Sequence, residues 1–175
     1  FDPAALTQIA EYQVQAGNVP GAAHALDKAL SAKPEHLRAR VLRSNVYLMQ
    51  GDPAKAEQLA RSVLSSDPKL AIGHVMLGDV ANYRGQTAQA LESYRKAHAI
   101  EQSSRSLLGV FSALQSSKPA EAATLAEKWL KSRPDDVQVW RALAELQVRS
   151  GKLAAAKQAY GQVIRLEPWD AQSLN

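Results

Sequence analysis

The chain has no cysteine. Disulfide staples and thiolate metal sites are excluded, and the redox compartment cannot be read from cysteine usage. Long apolar runs are also missing: none approaches the roughly 20 residues needed to cross a bilayer as a helix. No run of five like charges occurs, although the 21 basic and 17 acidic residues leave a net charge of +4 and a pI near 9.4. Interleaved charge of this kind reads as a solvated helical surface rather than a nucleic-acid footprint, which would bind with steep salt dependence. Aromatics make up only 6% of the residues while hydrophobic residues make up 46%. Alanine and leucine supply most of that apolar content, a helix-forming mixture whose small members suit close helix packing.

Chemistry-bearing constellations are equally scarce. The four histidines, His24, His36, His74 and His98, include no pair at the i, i+3 or i, i+4 spacing of a helical metal site. Asp135-Asp136 and the scattered glutamates show no acid/base pairing, and capping of helices is the expected role of the aspartates. No serine sits in a Gly-x-Ser-x-Gly turn, and no glycine-rich phosphate loop is present. A non-enzyme with no cofactor and no metal is expected.

What the chain does have is a period. Pro34 to Pro68 is 34 residues, and Pro134 to Pro168 is 34 again. Gly17, Gly51 and Gly85 repeat the same step, as do Ala22, Ala56 and Ala90. Each period holds two helical stretches. The glycines end the first stretch, and pairs such as Asp52-Pro53 read as an N-cap followed by proline at the first helical position. Within each unit, bulky residues stand at positions 4 and 7, small ones at 8, 20 and 27, and an aromatic or bulky residue at 24. Leu77, Gly78, Ala90, Tyr94 and Ala97 show this in the third unit, and Trp140, Leu143, Ala144, Ala156 and Tyr160 in the fifth.

This pattern resembles the tetratricopeptide repeat family, TPR for short, over nearly the whole chain. The resemblance implies an all-α fold, an α-α superhelix (TPR solenoid) of about five helix-turn-helix repeats plus the start of a sixth. As one array over residues 1–175, the repeats are expected at 3–36, 37–70, 71–102, 103–136 and 137–170, with 171–175 opening another. Two residues are missing between about Ala97 and Leu108, where Glu101-Gln102-Ser103-Ser104-Arg105-Ser106 is polar; a shortened loop or first helix is expected there. The chain opens at Phe1-Asp2-Pro3, which is neither a translation start nor a leader peptide, so a piece of a longer protein is expected; with no polar capping helix after Asp170, it is expected to associate end to end or to fray at its C-terminus.

In the resembled family the concave side, lined by the first helix of each repeat, carries the ligand. Transferred by position, this implies Thr7 and Glu11, then Arg38, Val41, Asn45, Leu48 and Met49. The third unit contributes Val75, Asp79, Asn82 and Tyr83, and the fourth Leu107, Phe111 and Leu114. The fifth contributes Gln138, Arg141, Glu145, Val148 and Arg149. An apolar centre with arginine at both ends suits a protein or peptide ligand. The two-carboxylate clamp of chaperone-binding members is not met, since Thr7, Glu11, Leu42, Ile72 and Met76 occupy its lysine, asparagine and arginine positions. Arg40 and Arg43 stand where bulky apolar residues belong, and they are expected either to snorkel to the edge or to pair with a carboxylate such as Glu11 or Asp79.

A narrower likeness rests on Trp129-Leu130-Lys131-Ser132-Arg133-Pro134-Asp135-Asp136, Leu143-Ala144-Glu145, Tyr160-Gly161-Gln162-Val163-Ile164 and Pro168-Trp169-Asp170-Ala171-Gln172-Ser173-Leu174-Asn175. These stretches resemble bacterial repeat lipoproteins associated with exosortase (PEP-CTERM) loci and exopolysaccharide production. That resemblance implies a scaffold in the periplasm or anchored at the outer membrane of a Gram-negative envelope. The alternatives are a cytoplasmic adaptor, or the repeat region of a larger enzyme such as a glycosyltransferase.

Overall fold

The computed structural model describes residues 2–168. The expected opening of a sixth repeat, 171–175, lies outside the described residues. Ten α-helices and no strand are found among those described: α1 (Pro3–Gln15), α2 (Val19–Ala32), α3 (Leu37–Met49), α4 (Pro53–Ser66), α5 (Ala71–Tyr83), α6 (Thr87–Ile100), α7 (Ser104–Leu114), α8 (Pro119–Ser132), α9 (Val137–Arg149) and α10 (Leu153–Leu166). The contacts divide the chain into two units, Phe1–Ile100 and Glu101–Asn175. In the first, α1/α2, α3/α4 and α5/α6 are hairpins, and α1 meets α3 while α3 meets α5. In the second, α7/α8 and α9/α10 are hairpins, and α7 meets α9.

Each glycine-bearing turn follows one hydrogen-bond scheme. Gly51, at φ 78°, is left-handed, which a Cβ would oppose. Its N–H donates to the Leu48 carbonyl, and the N–H of Asp52 donates to the Tyr47 carbonyl, closing the last turn of α3. Asp52 then caps α4 with its side chain, accepting from the Lys55 N–H at 3.0 Å. The turns at Gly17, Gly85 and Gly151 have the same backbone.

The fourth hairpin lacks that glycine, and this is where the two missing residues are absorbed. Its α7 has 11 residues where α1, α3, α5 and α9 have 13. The loop before it (101–103) is one residue shorter than 67–70, and the turn after it (115–118) is one longer than 84–86. A side-chain reciprocal cap, Ser103 with Ser106, starts α7. First helices therefore begin at 71, 104 and 137, two steps of 33 rather than one of 32 and one of 34.

The cores are narrow. Ala22, Ala56, Ala90 and Ala144 are fully buried, as are Ala10, Ala29, Ala60, Ala97 and Ala126. In the third hairpin the small residue of the first helix is Gly78, and a Cβ there would stand 2.4 Å from a Tyr94 ring carbon. The Tyr94 hydroxyl donates to Asp79 at 2.7 Å, which fixes the ring over the glycine. Position 4 carries a different device: Trp140 Nε1 donates to the Pro134 carbonyl at 2.9 Å, and a ring nitrogen of His74 lies 3.3 Å from that of Pro68. Each ties its helix back to the preceding inter-repeat proline.

The arginines at positions 4 and 7 of the second repeat do not pair as expected. Glu11 is taken by Arg38 and Asp79 by Tyr94. Arg40 instead donates to Ser62 Oγ on α4. Arg43, 7% exposed, donates to Asp27 on α2 at 2.8 Å and to Gln50 at 3.2 Å, with its guanidinium 3.8 Å from the centre of the Tyr47 ring. The buried cation thus reaches backwards to the preceding hairpin, where its charge meets a carboxylate.

Two measurements check this packing. Gly78→Ala should lower stability by about 1–3 kcal/mol, an overpacking cost, whereas Gly161→Ala on α10, with nothing within 4 Å of the added Cβ, should raise it by about 0.5–1 kcal/mol. Denaturation midpoints of the two variants should move in opposite directions. Asp27→Ala strands a buried guanidinium and should cost about 1–3 kcal/mol. Arg43→Leu leaves only a carboxylate already 57% exposed and should cost less than about 1 kcal/mol.

Candidate functional site: the first-helix faces

In the first unit, the face of α1, α3 and α5 carries a bidentate ion pair. Arg38 donates from Nε and Nη2 to the two oxygens of Glu11 at 2.7 and 2.6 Å. Val41, Asn45 and Leu48 are half-buried along α3, and Met49 at its end is 51% exposed. Asn82 and Tyr83 are exposed at the end of α5, with the Tyr83 hydroxyl 3.6 Å from where a Cβ on Gly51 would stand. Thr7 is not on this face; it is 1% exposed and its hydroxyl donates to the Pro3 carbonyl.

Four residues assigned to the apolar centre of the groove are core residues instead. Val75 is 4%, Leu107 1%, Phe111 3% and Leu114 2% exposed. For α7 the cause is register. The buried residues of α9, Val139, Leu143, Ala144, Leu146 and Gln147, match Ser106, Val110, Phe111, Ala113 and Leu114 at a spacing of 33. Counting by 34 rotates the helix by one residue and swaps face for core. The face of α7 is Leu108, Ser112 and Gln115, of which Leu108 is the apolar member. Position 5 of the third repeat keeps its register, but its valine is covered.

In the second unit, the fifth repeat's residues converge. Gln138, Arg141 and Glu145 line a cleft of about 390 Å³ together with Leu108, Val137, Ala142 and Glu167. Arg141 is paired with Glu167 at 3.1 Å. Arg149 lies apart from it, donating to Gln115 Oε1 at the end of α7, and Val148 is 45% exposed. Leu108, Val137, Ala142 and Glu167 are the members that position-by-position transfer missed, and Glu167 is the charged one, missed because it follows the second helix. Only its place at the base of the α9/α10 hairpin could have pointed to it.

A second cleft, of about 320 Å³, is lined by residues of α4, α5 and α6 in the first unit. Leu77 and Val80 floor it, and Glu57 anchors its rim. Glu57 accepts from Arg84 and from Arg61, both at 2.6 Å. Those two guanidiniums, Arg84 foremost, hold its carboxyl below the ordinary glutamate range. Among the described residues no group of three or more His, Cys, Asp or Glu side chains could hold a metal ion, and no helix is long and apolar enough to cross a membrane.

These helix pairs, their turn glycines and their alanine-lined cores define an αα-hairpin repeat protein. Residues 7–71 and 113–173 match the Tetratricopeptide repeat family, and the chain belongs to it. No curated protein matches it in sequence. Among solved structures, a thermophilic TPR protein from Thermus thermophilus is 17% identical with a TM-score of 0.80, over 97% of this chain and 94% of that one. The pilF protein of Pseudomonas aeruginosa is 24% identical with a TM-score of 0.67, over 98% and 79%. An O-GlcNAc transferase of Thermobaculum terrenum is 25% identical with a TM-score of 0.61; the match covers 74% of this chain and 26% of that enzyme. Repeats of this family are generally non-catalytic protein-binding modules, and the fold is that of a protein-interaction scaffold.

Because the folded-state pKa of Glu57 is depressed, its contribution is present above the unfolded carboxylate value and is lost as pH falls through the folded one. A Glu57→Gln chain should be less stable than the parent at neutral pH. The gap should close below the ordinary glutamate range, as read from thermal melts across an acid pH series.

Proposed function

We propose that the chain is a non-catalytic protein-interaction scaffold of a Gram-negative envelope, acting in exopolysaccharide assembly or PEP-CTERM protein sorting. The scaffold part rests on the first-helix faces. They present exposed Met49, Asn82 and Tyr83 in one unit and an open cleft lined by Gln138, Arg141, Glu145 and Glu167 in the other. A protein or peptide is the ligand such faces suit. The envelope part rests on the likeness of the stretch from Trp129 to Asp136, and of those that follow it, to the exosortase-associated repeat lipoproteins. These 175 residues hold no cysteine, so a lipidated residue would lie outside them.

A second reading, the repeat region of a larger enzyme such as a glycosyltransferase, is favoured by the O-GlcNAc transferase match, where this chain spans about a quarter of the enzyme. Fractionation of the native cells with palmitate labelling separates the two. Labelled protein in the envelope pellet is the expected result. Unlabelled protein in the cytosol, as part of a longer catalytic chain or not, would overturn the envelope reading.

A further inference from the structure

Three glutamates of the first unit are held in ion pairs. Glu11 is held by Arg38, Glu57 by two arginines, and Glu92, on the rim of the second cleft, by Lys96 at 2.7 Å. The cleft of the second unit differs. Among the described residues that line it, the one cation, Arg141, is paired with Glu167. Glu145, one helical turn further along α9, is exposed and has neither ion pair nor hydrogen bond among the described residues. Glutamate following arginine at i+4 is the weaker order for a helical pair, and Arg149, which follows Glu145 in the favoured order, donates instead to Gln115. Among the described residues that line the cleft, two carboxylates thus stand against one cation, a net charge of −1, beside the apolar Leu108, Val137 and Ala142.

Gln138 stands at the opposite end, its amide also without a partner among the described residues. Seven residues of helix separate it from Glu145, a span of about 10 Å. An extended segment advances about 3.3 Å per residue, so about three residues bridge the two. The volume, about 390 Å³, lies at the low end of the range of about 300–1,000 Å³ for ligand sites, room for a few side chains and not for a folded surface.

We infer that this cleft takes a short extended peptide segment in which a lysine or arginine stands within three residues of an aliphatic side chain. The cation meets Glu145, the aliphatic group covers Leu108, Val137 and Ala142, and the segment's backbone pairs with the Gln138 amide. Acidic segments are disfavoured, because Glu145 repels them and the guanidinium among the described lining residues, Arg141, is held by Glu167. This names the ligand chemistry of the scaffold proposed above and rests on that reading.

Selection of a random heptapeptide phage library against the full chain, beside a Glu145→Lys chain, tests it. Enriched sequences should combine Lys or Arg with Leu, Ile or Val at close spacing. A synthetic peptide of the consensus should bind the parent at least about tenfold more tightly than the Glu145→Lys chain, and added salt should weaken it. Glu145 is exposed, so both chains should give the same circular dichroism spectrum. Consensus sequences without a basic residue, or basic peptides that bind both chains alike, would overturn the inference and leave the scaffold reading standing. No enrichment of any peptide would count against both.

Discussion

Close approach between paired helices is the constraint on which the rest of this structure depends. Two helices can lie against each other only if the residues at the crossing are small, and here those residues are alanines with no exposed surface, or Gly78 under the Tyr94 ring. Small contact residues bury little area each, so stabilisation comes from many modest contacts between sequence neighbours rather than from a large central core. The larger apolar residues fill what remains: Leu26, Val46 and Val63 in the first unit, Trp129, Leu130 and Leu143 in the second.

Polar groups then fix how successive hairpins meet. Asp136 caps α9, accepting the Val139 N–H, and its other oxygen accepts from both Trp129 Nε1 at 2.7 Å and Ser104 Oγ at 2.6 Å. Arg133 stacks 3.8 Å from the Trp129 ring centre. One carboxylate thus joins α7, α8 and α9. The run from Trp129 to Asp136 therefore serves as a joint between hairpins. In the first unit Arg43 plays the comparable part, with Asp27 and Tyr47 around it.

The repeat fold was fully legible, since a 34-residue period with glycine, alanine and proline in register admits few alternatives. Where the period held, helix ends followed it closely, as at Gly51 and Asp52. The site was legible only in part. Arg38, Met49, Tyr83, Arg141 and Glu145 reach the surface as position implied. Leu107, Phe111 and Leu114 do not, because a two-residue deficit can be split between two loops, and sequence spacing alone does not say how. A shift of one residue on a helix turns a side chain by about 100°, enough to exchange face and core. The partners of Arg40 and Arg43 were missed for a related reason: they lie on other helices, beyond the reach of local pattern.

The turns Gly17-Asn18 and Gly51-Asp52 have no residue to spare. In Gly51-Asp52, the residue that closes one helix also caps the next, so a length change there would break two termination signals at once. The turn over 115–118 carries no such double duty: its glycine is absent, it is one residue longer, and Lys118 makes no side-chain cap. Insertions and deletions in lineages of this chain should therefore accumulate at that hairpin, and it is the natural place to splice in a tag or a reporter.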